Sequence, residues 1–442
     1  MHLRQSCRKW LQRPEFRHVG ILTSGTVVAQ VALFATAPVL ARLYSPAAFG
    51  VLAILLTIST LASSVGGLCY EVAVILPRSK RMAAALFSLA LSLSIATAVA
   101  TACIVATIQA VFPAAFGDKL DNTFLIACVV ATLFTTQFNV LCYAHSRAAQ
   151  YGNIAIAKFN QSLFPSLLQI LFGVMGFGMA GLLWGRALGV FATVVALIRK
   201  LPPGFRPRDV LHTRLASMKA AAKHYRDFLL QVPRQLLVRG ANSLPATLIL
   251  IAYGAAPAGL FFFASRLVER PGTVLGDALS RVPMKQFADR KKRGAPVTRA
   301  ALLYTMLVGA PVMVGVVTLA VISRPLFHIA FGSAWEPAAD YAVILAGWSG
   351  IRIASLPMAT LTTVFRIQGL SLFLDAAFAP RVLIIPLMAH MGYDALAAVA
   401  AFCVVSVVYH AAVFAVGLFA ALRYDRELGE RRSPTAFAVA AD

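Results

Sequence analysis

Long apolar stretches recur along this chain, and they constrain its fold more than any other feature. A helix needs about 20 apolar residues to cross the hydrocarbon core of a bilayer. About twelve segments satisfy that length. They are 19–42, 50–77, 83–112, 123–145, 154–176 and 180–198 in the first half, and 229–253, 257–283, 300–323, 340–365, 370–391 and 395–422 in the second. In lipid, every backbone N–H and C=O must find its partner within the protein, and a helix satisfies them within one segment. The expected fold is therefore an all-α polytopic membrane protein. Composition agrees. The chain is 59% hydrophobic and 13% charged, with a mean hydropathy of +0.77, whereas soluble domains carry about 25% charged residues.

The formal charge of +23 would suit a nucleic-acid binder if it formed a patch. It does not, because the basic residues sit in short runs between apolar spans. One set of loops holds the N-terminus, Arg78, Lys80, Arg81, Arg147, the segment 199–228, the run Arg290–Arg293, Arg366 and the C-terminal tail. The opposite set holds Arg42, Lys119 and Arg324. Basic residues collect on the cytoplasmic side of a membrane protein. Both termini are thus expected in the cytoplasm, with an even number of spans, and nucleic acid is not an expected partner. The basic first 18 residues precede a span too long for a signal-peptide core, so that span reads as a retained first helix.

The expected organisation is a basic N-terminus (1–18), a six-helix lobe (19–198), a basic linker (199–228), a second six-helix lobe (229–422) and a cytoplasmic tail (423–442). In the linker, Leu211, Leu215, Met218, Ala222, Tyr225 and Leu229 recur at helical spacing, with Arg214, Lys219, Lys223 and Arg226 towards the other face. That pattern predicts an amphipathic helix on an anionic membrane surface. The halves look related. Leu22–Thr26 aligns with Leu237–Ala241, and Val111–Gly117 with Leu326–Gly332, at one shared offset. With six spans each, the copies would share orientation, as in parallel-repeat transporters.

Charge inside the spans is the functional signal. Within Gly259–Pro283, Arg266, Arg270, Asp277 and Arg281 fall on a stripe about 60° wide, with Glu269 beside it and Pro271 in the middle. The next polar face, on the span before it, comprises Gln231, Arg234, Gln235, Arg239 and Asn242. A third has Lys158, Gln161, Ser162 and Gln169 around Pro165, and Arg186, Arg352 and Arg381 stand singly on other spans. At about 3 kcal/mol each, burying all these cations would cost of order 25 kcal/mol before pairing or hydration. The pattern points to a cationic wall around a polar pathway. The bland alternative is that Glu269 and Asp277 neutralise arginines in a packed interface, with Glu269 reaching Arg266. The acids Glu71, Glu269, Asp277 and Asp375 are candidates for ion coupling. Glu71 is the foremost, because no arginine lies within one turn of it, although its place near Pro77 would also suit a helix-end anchor.

Other motifs are weaker. Gly176–Gly181 matches GxGxxG but follows no strand. Gly181, Gly185 and Gly189 read instead as a close helix-packing face. The six cysteines and the scattered histidines His145, His328 and His390 show no metal-ligand spacing. No P-loop or nucleophile elbow occurs. Neither enzymatic activity, a cofactor nor a metal is expected.

Three stretches carry a resemblance: Ala41-Arg-Leu-Tyr-Ser-Pro-Ala-Ala-Phe-Gly50, Tyr70-Glu-Val-Ala-Val-Ile-Leu-Pro77 and Phe331-Gly-Ser-Ala-Trp335. They resemble the polysaccharide biosynthesis (Wzx-type, O-antigen) oligosaccharide flippases, within the superfamily of multidrug, oligosaccharidyl-lipid and polysaccharide exporters. The likeness runs from about residue 19 to 422 and is densest over 22–80. It implies two six-helix lobes around a central cavity that opens alternately to each side. It also implies a substrate, undecaprenyl-diphosphate-linked oligosaccharide, crossing the bacterial inner membrane among membrane lipids. A polysaccharide polymerase and a chain-length regulator are the implied partners. Arginine suits a diphosphate, since it stays charged and presents a planar fork of donors. Two other functions compete. A drug exporter would have an apolar cavity with few cations, and a polysaccharide polymerase would carry a large external loop, whereas the external loops here are short.

Overall fold

The computed structural model describes residues 30–111, 121–211, 213–365 and 367–432. The side chains of 207, 211, 238, 270–279, 281, 368, 372, 431 and 432 lie outside that description. Among the described residues the secondary structure is entirely helical, in keeping with the all-α expectation. Nine helices there are long and apolar enough to cross a membrane. Three more sit at expected spans without meeting both criteria: α1 (Gln30–Leu43), α6 (Tyr151–Val174) and the long, charged α11 (Ala255–Lys292). Together they make the polytopic fold of about twelve spans that length alone required.

The chain divides into two compact units, the first ending at Phe262 and the second beginning at Phe263. In the first, α1 is followed by α2 (Pro46–Val65), the short α3 (Tyr70–Ala73), α4 (Lys80–Val111), α5 (Asn122–Arg147), α6 and α7 (Gly178–Ile198). The starts of α2 and α5 are capped by side chains. Ser45 accepts from the Ala48 N–H, with Pro46 in the first turn, and Asp121 accepts from the Phe124 N–H at 2.8 Å. Such caps satisfy donors that a helix start leaves unpaired.

Helices α6 and α7 pack through the glycine stripe. A Cβ at Gly189 would stand 2.3 Å from Pro165 Cα, and one at Gly185 would stand 2.7 Å from the Gln169 backbone nitrogen. Gln169 completes the seam, with Nε2 donating to Leu182 O at 2.9 Å and its carbonyl accepting from the Tyr44 hydroxyl at 2.6 Å. Gly176 and Gly178 take positive φ in the turn between these helices, so the GxGxxG match is a helix–helix connection.

The linker departs from expectation. It forms α8 (Pro207–Leu211), α9 (Leu215–His224) and a 3₁₀ turn over Arg226–Leu230, not one continuous helix. Part of its apolar face is covered by the first unit itself. Ala221 is fully buried, Phe205 meets Phe87 edge-to-face, and the Tyr70 hydroxyl donates to Ala222 O. Helix α10 (Gln231–Tyr253), expected in the second lobe, packs on α2 of the first unit. Thr57 donates there to Ser243 O at 3.0 Å. Backbones also approach closely nearby, since a Cβ at Gly50 would lie 2.1 Å from Ala255 O.

The second unit contains most of α11, then α12 (Thr298–Phe331), α13 (Ala338–Val364), α14 (Gln368–Phe378), α15 (Ile384–His390) and α16 (Ala395–Arg432). Phe263, Phe327, Phe331 and Trp335 form an aromatic cluster at one end. At the other end Asp425 caps α12, accepting from the Val297 and Thr298 N–H groups at 2.8 and 3.0 Å. Nearby, Lys291 Nζ donates to Val364 O at 3.0 Å and sits over the Phe365 ring. Of the aligned repeat pairs, residues 22–26 and 112–117 lie outside the described residues.

Candidate functional site

Two expected spans are interrupted, and each interruption gathers polar side chains. The first lies in 50–77. Helix α2 ends at Val65, and Leu68 and Cys69 then take φ of 50° and 62° before α3 begins. Left-handed backbone costs a non-glycine residue of order 1 kcal/mol, so the surrounding packing must enforce this turn. The Gly66–Gly67 pair lets the chain leave the helix. The break frees the Gly66 carbonyl, which accepts from Thr97 Oγ1 at 3.1 Å.

Glu71 sits in the first turn of α3 and is 7% exposed. Its Oε2 is buried with no hydrogen-bond partner among the described residues. The carboxylate folds back against the break, where a Cβ on Gly67 would come within 2.2 Å of Oε2. Tyr143 on α5 lies within electrostatic reach of both Glu71 and Arg239, and Cys142 within reach of Lys158. Arg147, the basic residue at the end of α5, does not pair with Glu71. Its Nη1 donates to Val74 O and Ile75 O, both at 3.0 Å, and closes the carbonyl end of α3.

The second interruption lies in 370–391. A 3₁₀ segment, Ala379–Leu383, separates α14 from α15 and begins with Pro380 in its first turn. Proline supplies no N–H, so a helix breaks readily there. Arg381 lies in the segment, and its Nη1 donates back to the Phe378 carbonyl at 3.1 Å. Its guanidinium also stands 5.1 Å from the centre of the Tyr409 ring. The Tyr409 hydroxyl donates to Asp375 Oδ1 at 2.5 Å, and Asp375 is within electrostatic reach of Arg381. His410, the next residue on α16, is within reach of both Arg381 and Arg352. Arg352 donates to Ser349 Oγ at 3.2 Å and lies over the Trp348 ring at 5.4 Å.

The remaining expected site residues spread along both units. Gln231, Arg234, Arg239 and Asn242 are exposed on α10 and Gln235 is half-buried. Lys158 is exposed on α6. Arg266 and Glu269 are half-buried on α11, and Glu269 lies within electrostatic reach of Cys403 on α16. The side chains of Arg270, Asp277 and Arg281 lie outside the described residues, although their backbone is helical. The structure thus brings Asp375 within reach of Arg381, while Glu71 and Arg239 share only Tyr143 as a neighbour within electrostatic reach. Tyr143, Trp348, Tyr409 and His410 escaped the sequence reading. The one available signal was a Tyr-His pair in an otherwise apolar final span.

The fold has close counterparts among solved transporters. The inward closed conformation of the lipid II flippase MurJ superposes with a TM-score of 0.71 at 10% identity, over 92% of this chain and 90% of that one. An inward-facing multidrug resistance MATE family transporter of the MOP superfamily gives 0.61 at 14% identity, over 92% and 100%. A MOP superfamily transporter from Pyrococcus furiosus gives 0.52 at 14% identity, over 93% and 97%. At these identities the likeness establishes the fold alone. No curated protein matches the chain in sequence. A family model described as polysaccharide biosynthesis protein matches residues 39–340; that stretch is well over half of the chain, which belongs to this family.

Proposed function

We propose that the protein is a flippase that carries an undecaprenyl-diphosphate-linked oligosaccharide from the inner to the outer leaflet of the bacterial inner membrane by alternating access. The observation that carries this reading is cationic side chains on helices of membrane-spanning length. Arg352 and Arg381 fall within helices of the second unit that are long and apolar enough to cross a membrane, and Lys158 and Arg239 would serve the same chemistry in the first. A diphosphate head needs such groups and a drug-like cation does not. The family match supports polysaccharide synthesis, and one fold neighbour is a lipid II flippase. Arg266 and Arg270 would hold the diphosphate, with Arg234, Arg281, Gln231, Gln235 and Asn242 as further polar contacts. Glu71 would take up the coupling ion, since it is a buried acid beside a broken helix, with Asp277, Glu269 and Asp375 as secondary sites. The basic loops support cytoplasmic termini. A polysaccharide polymerase and a chain-length regulator are the expected downstream partners.

The test is deletion of the gene followed by glycolipid analysis of each leaflet. Lipid-linked oligosaccharide should accumulate on the cytoplasmic side. If leaflet distribution is unchanged while drug sensitivity rises, the exporter reading replaces this one. If assembled polysaccharide is lost while repeat units still cross, the polymerase reading does.

A further inference from the structure

The linker of the first unit is covered on one side only. It joins α7 to α10, which both belong to segments long and apolar enough to cross a membrane, so its two ends lie at the same membrane face. Its inward side is accounted for. Ala221 is fully buried, the Tyr70 hydroxyl donates to Ala222 O at 3.3 Å, and Ser88 Oγ donates to Thr213 Oγ1 at 3.2 Å. The outward side of α9 is different. Leu215, Lys219 and Lys223 recur at every fourth position, within an arc of about 80°, and both lysines point about 160° away from Ala221. All three are exposed. Leu230, which directly precedes α10, is 80% exposed. Charge on the linker is one-sided. Its acids are Asp209 and Asp227, and Asp209 Oδ2 is engaged by the Gly204 and Arg206 N–H groups, both at 3.1 Å. Against them stand Arg199 and Lys200 where the chain leaves α7, Arg214 with the two lysines at α9, and Arg226 where it approaches α10, all exposed. Bare leucines beside lysines on one helix edge suit a bilayer interface, where the apolar groups enter the headgroup boundary and the cations meet phosphate. A soluble acidic partner would satisfy the cations, but it would leave Leu230 uncovered at the point where α10 enters the membrane.

We propose that the outward face of the linker docks on anionic phospholipid headgroups, with Leu215 and Leu230 entering the headgroup layer and Lys219, Lys223 and Arg226 meeting lipid phosphates. The lipid surface then holds α9 from outside while the first unit holds it from within. Tyr70, the first residue of α3, connects the two, because its hydroxyl bonds Ala222 on the docked helix. Lipid charge therefore bears on the segment packed against the interrupted helix. The surface shares no residue with the groups assigned to the diphosphate or to ion coupling, and it does not depend on which substrate the protein moves.

The experiment places the full chain in two kinds of nanodisc, one of phosphatidylcholine alone and one of phosphatidylcholine mixed with phosphatidylglycerol. Amide hydrogen exchange over 215–230 reports how often the segment opens, with exchange in α13 as the internal reference. Protection should be greater in the anionic nanodiscs, and high salt should remove the gain by screening. Lys219→Gln and Lys223→Gln should each reduce the gain about fivefold, the usual worth of one basic residue at an anionic surface. Lys219→Arg keeps the charge and should keep the gain. Leu215→Ser should lower it while leaving its salt dependence intact. Arg426→Gln, at an exposed pair with Glu430 in the second unit, should change nothing. These side chains are exposed, so the substitutions leave the core intact. Equal protection in the two nanodiscs, or a gain that survives the double lysine substitution, overturns the proposal. So does protection raised by inorganic phosphate in phosphatidylcholine nanodiscs, because the occupant would then be a soluble anion and not the lipid surface.

Discussion

Glu71 and Gly67 test each other. The carboxylate occupies the space where any larger residue at 67 would put its Cβ, 2.2 Å from Oε2. Gly67→Ala should therefore displace the acid and lower stability by about 1–3 kcal/mol, the usual range for overpacking. Glu71→Gln keeps the shape and removes the charge, so it should leave Tm nearly unchanged while reducing transport in the leaflet assay. Glu71→Asp, shorter by one methylene, should restore stability in the Gly67→Ala background. If Gly67→Ala and the parent melt alike, the folded-back carboxylate is not the ground state. Sequence singled out Glu71 because no arginine neighboured it on its own helix, and in the fold its Oε2 has no hydrogen-bond partner among the described residues. The residue that completes its surroundings, Tyr143, sits on a different helix. Nothing in local spacing connects positions so far apart.

At the scale of elements, the glycine stripe on α7 was legible because small residues every fourth position form one helix face. Gly189→Val would drive a side chain into Pro165, from which even a Cβ would be separated by only 2.3 Å. Its expected cost of about 1–3 kcal/mol or more should appear as reduced abundance in the membrane, with Gly152→Ala, where nothing lies within 4 Å, as a neutral control. The cap on α12 was not legible. Asp425 lies on the extension of α16, far along the chain from the Val297 and Thr298 N–H groups that it accepts from. Asp425→Ala should cost about 1 kcal/mol, as loss of a helix cap does, and lower Tm accordingly. An unchanged Tm would mean that solvent serves those N–H groups equally well. The helix breaks were half legible. Gly66–Gly67 and Pro380 are breaker residues, but an apolar run of spanning length masks an interruption, because hydropathy averages over it. The linker failed for a related reason. Its helical periodicity was real, yet Gly204 and the break between α8 and α9 set where the helices fall, and the first unit covered part of the face that had been assigned to lipid.

For the whole molecule, span count followed from length and hydropathy alone, since lipid imposes one solution on every segment. Orientation rests on the basic loops and is open to direct measurement. Gly294 follows the run Arg290–Arg293 at the end of α11, and Ser333 begins the short turn between α12 and α13. Helix α12, with 34 residues, is long enough to place these positions on opposite membrane faces, at about 1.5 Å per residue. With the native cysteines replaced, a single cysteine at Ser333 should react with an impermeant thiol reagent added outside intact cells. One at Gly294 should react only after the membrane is opened. The position expected outside has a structural control. Arg324 holds Asp340 through two hydrogen bonds of 3.1 and 3.2 Å, which ties the end of α12 to the start of α13. Arg324 is 66% exposed and Asp340 35%, so the pair is well hydrated, and Asp340→Asn should alter the labelling rate at Ser333 by no more than a few-fold, given that exposed ion pairs contribute about 0–1 kcal/mol. Labelling of Gly294 from outside would invert the orientation. It would place the concentrated basic loops on the external face, contrary to the charge rule, and it would reverse the direction in which the proposed substrate must move.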